Sequence, residues 1–149
     1  MYIEDDLVFY NEPLDDQNQL FDFMSDKLEK KDYVTKDFRK SIKKREKEFP
    51  TGLKLEGLNL SIAHTDADFS KTQKIVVIKP KKPIPFKNIE NLKPIEVDLV
   101  LALILNDSNK HLEVLQKVSQ LLQDKMFINA IKDVTTQHEL SSLMQQYFN

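Results

Sequence analysis

Cysteine is absent from the 149 residues, which excludes a disulfide framework, a thiolate metal site and a cysteine nucleophile. No apolar run approaches the length of a membrane span; the most apolar stretch, Val97 to Leu105, is nine residues long. Met1 to Asp6 carries acids and no basic apolar run, so no export leader is expected and the chain reads as cytoplasmic. Positive charge is not in excess either. With 22 Lys and Arg against 24 Asp and Glu the net charge is −2, which speaks against a general nucleic-acid binder. Internal repeats and low-complexity linkers are also missing. A composition of 40% hydrophobic and 31% charged residues then suits one core, and a single domain spanning 1–149 is expected.

What is present reads as a mixed α/β order. Leu7 to Tyr10 is a short apolar run closed by Asn11 and Pro13 and predicts a first strand. Asp15 or Asp16 can cap a helix in which Leu20, Phe21, Met24 and Leu28 recur at helical spacing. A second helix, capped by Thr35, carries Lys36, Arg39, Lys40, Lys43, Lys44 and Lys47, read as a solvated charged face. Ile75 to Ile78 suits a central strand, and Val97 to Leu105 a buried one. Between them, Pro80, Pro83 and Pro85 argue for a rigid surface turn rather than sheet interior. Three helices close the chain, with Leu112, Leu115, Val118, Leu121 and Leu122 on the first of them. The others run around Met126 to Ile131 and from about Thr136 to Tyr147, and His138 falls off the apolar face of the last. The expected order is β-α-α-β-β-β-α-α-α, with helices packed on a sheet.

The stretch from Arg45 to Asp66 concentrates the chemistry. Phe38, Ile42 and Phe49 are spaced four, then seven residues apart, and Arg45 falls on the same stripe. After the break at Pro50, Gly52 and Gly57, Leu58, Leu60 and Ile62 alternate with Asn59, Ser61 and Ala63 as in a half-buried strand, and the alternation puts His64 on the apolar face at its end. Pattern alone leaves both residues open: Arg45 could snorkel to water, and His64 could be a hydrogen-bonded structural histidine. His111 follows a polar turn at the start of a helix, where free N–H groups and the dipole favour an anion.

The segment Arg45-Glu46, Phe49-Pro50-Thr51-Gly52-Leu53 and Ser61-Ile62-Ala63-His64-Thr65-Asp66 resembles the phosphorylation-site region of enzyme IIA of the sugar phosphotransferase system. It is most similar to the fructose/mannitol superfamily and its galactitol-type branch. A second shared motif is His111-Leu112 opening a helix, and the resemblance extends over nearly the whole chain. The family carries proline before the histidine where this chain has Ala63. Restoring it would pre-set φ, and a higher melting temperature with phosphorylation retained is the expectation from sequence.

The resemblance implies a mixed sheet flanked by helices on both faces and a phosphocarrier without cofactor. His64 would be the nucleophile, receiving a phosphoryl group from the phosphocarrier HPr and passing it to a cysteine of a cognate enzyme IIB, and through it to the membrane enzyme IIC. Arg45 and His111 stand where the family's charge-stabilising residues stand. Asp66, Asp68 and Thr51 are assigned to substrate or partner contact, and the sugar to a galactitol-like sugar alcohol. The absence of cysteine excludes a fused phosphocysteine-type IIB domain. No direct membrane insertion is implied. A regulatory module read by another protein is the alternative that the same residues allow. A metal site from His64, Asp66 and Asp68 lacks ligands from other elements.

Overall fold

The computed structural model describes residues 1–149. The chain runs β1 (Val8–Glu12), α1 (Gln17–Lys30), α2 (Phe38–Glu48), then six strands, β2 (Gly52–Leu55), β3 (Leu58–Ala63), β4 (Gln73–Pro80), β5 (Ile84–Lys87), β6 (Pro94–Val97) and β7 (Leu99–Leu105), and ends with α3 (Ser108–Leu121), α4 (Lys125–Asp133) and α5 (Gln137–Phe148). Five strands form one mixed sheet in the order β1-β4-β7-β3-β2, and β5 and β6 pair as a separate antiparallel ribbon.

Period-two alternation explains why both faces carry helices. Ile75 and Val77 of β4 and Leu101, Leu103 and Leu105 of β7 pack with Val114 and Val118 of α3, Phe127 and Ile131 of α4 and Leu140 and Met144 of α5. Their neighbours Val76, Ile78, Val100, Ala102 and Ile104 face the other way, onto Leu20, Phe21, Met24 and Leu28 of α1 and Phe38 and Ile42 of α2. An apolar strand without polar alternation has to be covered twice. The mixed sheet with helices on both faces therefore stands as expected.

Several local expectations change. Between α2 and α3 there are six strands rather than three: Gly52–Leu55 adds a hairpin strand, and the proline-rich segment forms the two-stranded ribbon, whose Ile84, Phe86 and Val97 are buried over α1. Pro85 and Pro94 are tolerated because this ribbon is short and made only of edges. Val97 to Leu105 is divided at Asp98, whose carboxylate accepts from Asn59 N–H at 3.0 Å. Thr35 does not cap α2. Its main-chain carbonyl accepts from Phe38 N–H, and its hydroxyl is buried without a partner. The basic face of α2 is only partly solvated, because Arg39 bonds Asp22, Asp26 and Glu29 of α1, and Lys43 bonds Asp22. Asp16 caps α1 through Gln19 N–H, and His138 is exposed, both as expected.

Two glycines have steric reasons. Gly57 turns the β2–β3 hairpin at φ +83°, and a Cβ on Gly52 would lie 2.6 Å from the Lys87 carbonyl of β5. That close approach lets Ile89 N–H bond the Gly52 carbonyl and ties the ribbon to the start of β2.

Candidate active site

β3 ends at Ala63, and His64 is the first residue beyond it. The strand is not half-buried: Ser61 and Ala63 are as completely enclosed as Leu60, because β3 lies between β7 and β2 with helices on both sides. His64 is partly exposed where the sheet stops. Its Nδ1 lies 2.8 Å from the Ile62 carbonyl. A carbonyl only accepts, so Nδ1 carries the proton and donates it there, leaving the lone pair on Nε2.

From the face of the sheet that Leu60 and Ile62 line, α3 brings His111. The two imidazoles stand 5.8 Å apart between ring centroids, tilted by 57°. His111 Nε2 is buried and has no hydrogen-bond partner. Burial lowers the pKa of His111, and the neighbouring His64 pushes the same way against a smaller pull from Asp66. Two of the N–H groups at this helix start are in use: Asp107 caps Asn109 N–H with its carboxylate, and its main-chain oxygen accepts from His111 N–H. His111 therefore acts through its ring. Leu112, expected on the apolar face, is exposed, and Val114, Val118 and Leu121 are the buried residues of α3.

Arg45 comes from the last turn of α2. Its side chain is 38% exposed, its guanidinium carbon lies 4.5 Å from the centroid of the Phe49 ring, and one nitrogen is 3.9 Å from Asp66 Oδ1. Phe49 is not a core residue; at 56% exposure it forms a platform for Arg45 just after the helix has ended at Glu48. The core positions of α2 are Phe38, Ile42 and Glu46. A cleft of about 430 Å³ beside Arg45 is lined by Lys40, Lys44, Thr65 and Asp66 among others. Asp68 is exposed on the short 3-10 turn Ala67–Phe69 and makes no ion pair.

Thr51 requires a correction. It is buried, its N–H and hydroxyl both donate to Glu46 at 2.7 Å, and its oxygen lies 2.7 Å from Ser61 Oγ, so it faces inward rather than a substrate or partner. Glu46 is the residue that sequence reasoning passed over. Burial pushes its pKa up to about 7, against the pull of the two Thr51 donors. The signal was legible in the spacing of Phe38, Ile42 and Glu46, four and four, which competes with the stripe through Arg45 and Phe49. The fold thus brings Arg45, His64, Asp66 and His111 together at one end of the sheet. It leaves Asp68 at the margin and turns Thr51 away.

This set holds a histidine with one free ring nitrogen, a guanidinium and a second imidazole: a nucleophile and two potential donors for an anionic group. Residues 1–147 match the family described as "Phosphoenolpyruvate-dependent sugar phosphotransferase system, EIIA 2". The chain is 25% identical over 116 residues to the galactitol-specific EIIA component of the phosphotransferase system of Escherichia coli K12, covering 78% of this chain and 77% of that protein. Its fold is similar to that of the nitrogen regulatory protein IIA-Ntr from Neisseria meningitidis, with a TM-score of 0.77 at 22% identity, covering 95% of this chain and 94% of that one. It is likewise similar to the mannitol enzyme IIA of E. coli, solved in complex with phosphorylated mannitol enzyme IIB, with a TM-score of 0.72 at 19% identity, covering 93% of this chain and 94% of that one.

Proposed function

Because the chain belongs to the EIIA 2 family of the phosphoenolpyruvate-dependent sugar phosphotransferase system, and is thus a phosphotransferase component of that system, we propose that His64 is its phosphoryl carrier. The observation that carries this reading is the bond from His64 Nδ1–H to the Ile62 carbonyl, which presents Nε2 as the nucleophile. The Nε2 lone pair attacks phosphorus of the phosphohistidine of HPr. The donor's P–N bond breaks, and its electron pair returns to the donor ring. In the second step a cysteine thiolate of the cognate enzyme IIB attacks the same phosphorus, and the pair of the broken P–N bond returns to His64 Nε2.

A loose, in-line transfer needs positioning and charge stabilisation of the equatorial oxygens. Arg45 supplies a cation seated over the Phe49 ring, and the His111 ring supplies a donor when its buried Nε2 carries a proton. The lowered pKa of His111 favours the neutral ring, which offers an N–H without adding positive charge beside His64. Asp66 and Asp68 offer acidic contacts to a basic partner surface; reversing both charges should flatten the salt dependence of transfer, and an unchanged dependence would remove them from docking.

The substrate that this component serves is a sugar alcohol of galactitol type, a reading supported by the 25% identity to a galactitol-specific component. Delivery from HPr to enzyme IIB places the protein in the cytoplasm. No helix is long and apolar enough to cross a membrane. The single domain spans 1–149.

The test is phosphorylation by phosphoenolpyruvate, enzyme I and HPr, followed by intact mass and acid lability, with His64→Ala and His111→Ala alongside. One acid-labile phosphoryl group, lost in His64→Ala and slowed in His111→Ala, is the expected result. No gain in the wild type, or a gain that persists in His64→Ala, would overturn the assignment.

A further inference from the structure

Glu46 is the only ionisable residue among the buried ones, with 4% exposure, and it has no cationic partner. Its carboxylate instead begins a chain of hydroxyls. Thr51 N–H donates to Oε2 and Thr51 Oγ–H to Oε1, both at 2.7 Å, and Thr51 Oγ in turn lies 2.7 Å from Ser61 Oγ. A hydroxyl has one proton. With that of Thr51 given to the carboxylate, Ser61 has to donate to Thr51, and the direction of the chain is set by the charge on Glu46.

Each member of the chain stands next to the site. Glu46 follows Arg45 on α2, Thr51 precedes the first residue of β2, and Ser61 precedes Ile62, whose carbonyl holds His64 Nδ1. A second tie between the same two elements, Ser41 Oγ to Thr65 Oγ1 at 2.5 Å, lies on the other side of Arg45 and His64. Burying an unpaired carboxylate is costly, and the raised pKa records that cost. An apolar residue would serve packing as well, so the carboxylate calls for a role in positioning.

We propose that Glu46 is a positioning residue of the phosphotransfer site: as a carboxylate it orders Thr51 and Ser61 and thereby holds Arg45 on α2 in register with His64 at the end of β3. This rests on the phosphocarrier reading of His64. Glu46 touches neither substrate nor phosphoryl group, and it acts through the two elements it joins. The charged groups around it are Asp16 of α1, Lys47 of α2 and Lys87 of β5, which with Glu46 line a cavity of about 680 Å³. On the other side of Glu46 stand the Thr51 hydroxyl, just before β2, and beyond it the Ser61 hydroxyl of β3.

The experiment compares wild type with Glu46→Gln, Thr51→Val, Thr51→Ser and the double variant Glu46→Gln/Thr51→Val. A glutamine keeps the shape but donates to Thr51, reversing the chain as a protonated Glu46 would. Transfer to His64 should fall about tenfold in kcat in Glu46→Gln and in Thr51→Val with KM for the phosphorylated donor unchanged, since sub-ångström misplacement costs rate. The double variant should be no slower than the worse single, and Thr51→Ser should retain wild-type rate.

The ratio of wild-type to Glu46→Gln rates should be largest at about pH 8.5 and close to one at about pH 6, where Glu46 is itself protonated. Titrations common to both proteins cancel in that ratio. The His64 Nδ1–H resonance, read by nitrogen-15 NMR in the unphosphorylated protein, should shift in Glu46→Gln and Thr51→Val. Wild-type kcat in both variants, a pH-independent ratio, or an unmoved His64 resonance with only a lower melting temperature would overturn the proposal. If the wild type takes up no phosphoryl group, the carrier reading fails by that result, and the resonance alone then decides whether Glu46 positions His64. If Glu46→Gln does not fold, Thr51→Val and Thr51→Ser carry the same comparison.

Discussion

The carbonyl of Ile62 lies 2.8 Å from Nδ1 of His64, two residues further along the chain. Through this one bond the end of β3 selects the tautomer of the ring, because a carbonyl can only accept a proton bond. The phosphoryl group is therefore expected on Nε2. Nitrogen-15 and phosphorus-31 NMR of the phosphorylated protein check this, and coupling of phosphorus to Nδ1 would contradict it.

His111 has a pKa lowered first by burial and then by His64. The unfolded chain binds a proton there more readily than the folded one, so stability is fully present above the ordinary histidine pKa and is lost as pH falls through the folded value. His111→Gln should weaken this acid sensitivity, read as the change in melting temperature between neutral and mildly acidic buffer. The same variant should slow transfer.

Arg45 and Asp66 lie 3.9 Å apart with 38% and 72% of their side chains exposed. An exposed pair of this kind contributes about 0–1 kcal/mol. Arg45→Ala should therefore barely change the urea midpoint, while transfer to His64 drops about a hundredfold, the range for loss of one charge-stabilising donor. A large loss of stability with normal transfer would mean that Arg45 is structural.

Glu46 has the opposite sign from an ordinary native carboxylate. Its folded pKa, about 7, lies above the ordinary 4.5, so its contribution to stability is full below 4.5 and is lost as pH rises through 7, a span worth about 3 kcal/mol. Glu46→Gln should be at least as stable as wild type at pH 8 and should lack that loss on going from pH 5. Urea unfolding at the two pH values decides it. A stable variant that still transfers slowly separates positioning from mere structural support.

Ala63 reverses an expectation. Proline there would lower unfolded-state entropy, worth about 0.4–1 kcal/mol, and the sequence therefore points to a higher melting temperature. Ala63 is, however, completely buried and pairs with Ala102 of β7. The added ring carbons meet a filled space, at a cost of about 1–3 kcal/mol. Ala63→Pro should melt lower than wild type and still accept a phosphoryl group; a rise in melting temperature would show that the surroundings yield.

By itself the sequence determined the helices, the buried strands and the candidate for the nucleophile. Period 3.6 in α1, the unbroken apolar runs Ile75 to Ile78 and Leu99 to Leu105, and the motif around His64 and His111 are local signals that survive folding because the sheet and its helical layers preserve each residue's face. The ribbon of β5 and β6 was not legible, since prolines are compatible with edge strands only when the strand partner is known. Nor was the inward turn of Thr51, or the choice of Glu46 over Phe49 as the buried residue at the end of α2. Both stripes satisfy the helical period on α2, and what separates them is that Pro50 ends the helix while Thr51 brings two donors to Glu46. Donors that arrive from another element exist only in the folded chain. Hence the candidate chemistry of His64 can be read from neighbouring residues, whereas the burial and the partners of Glu46 are decided by tertiary contact.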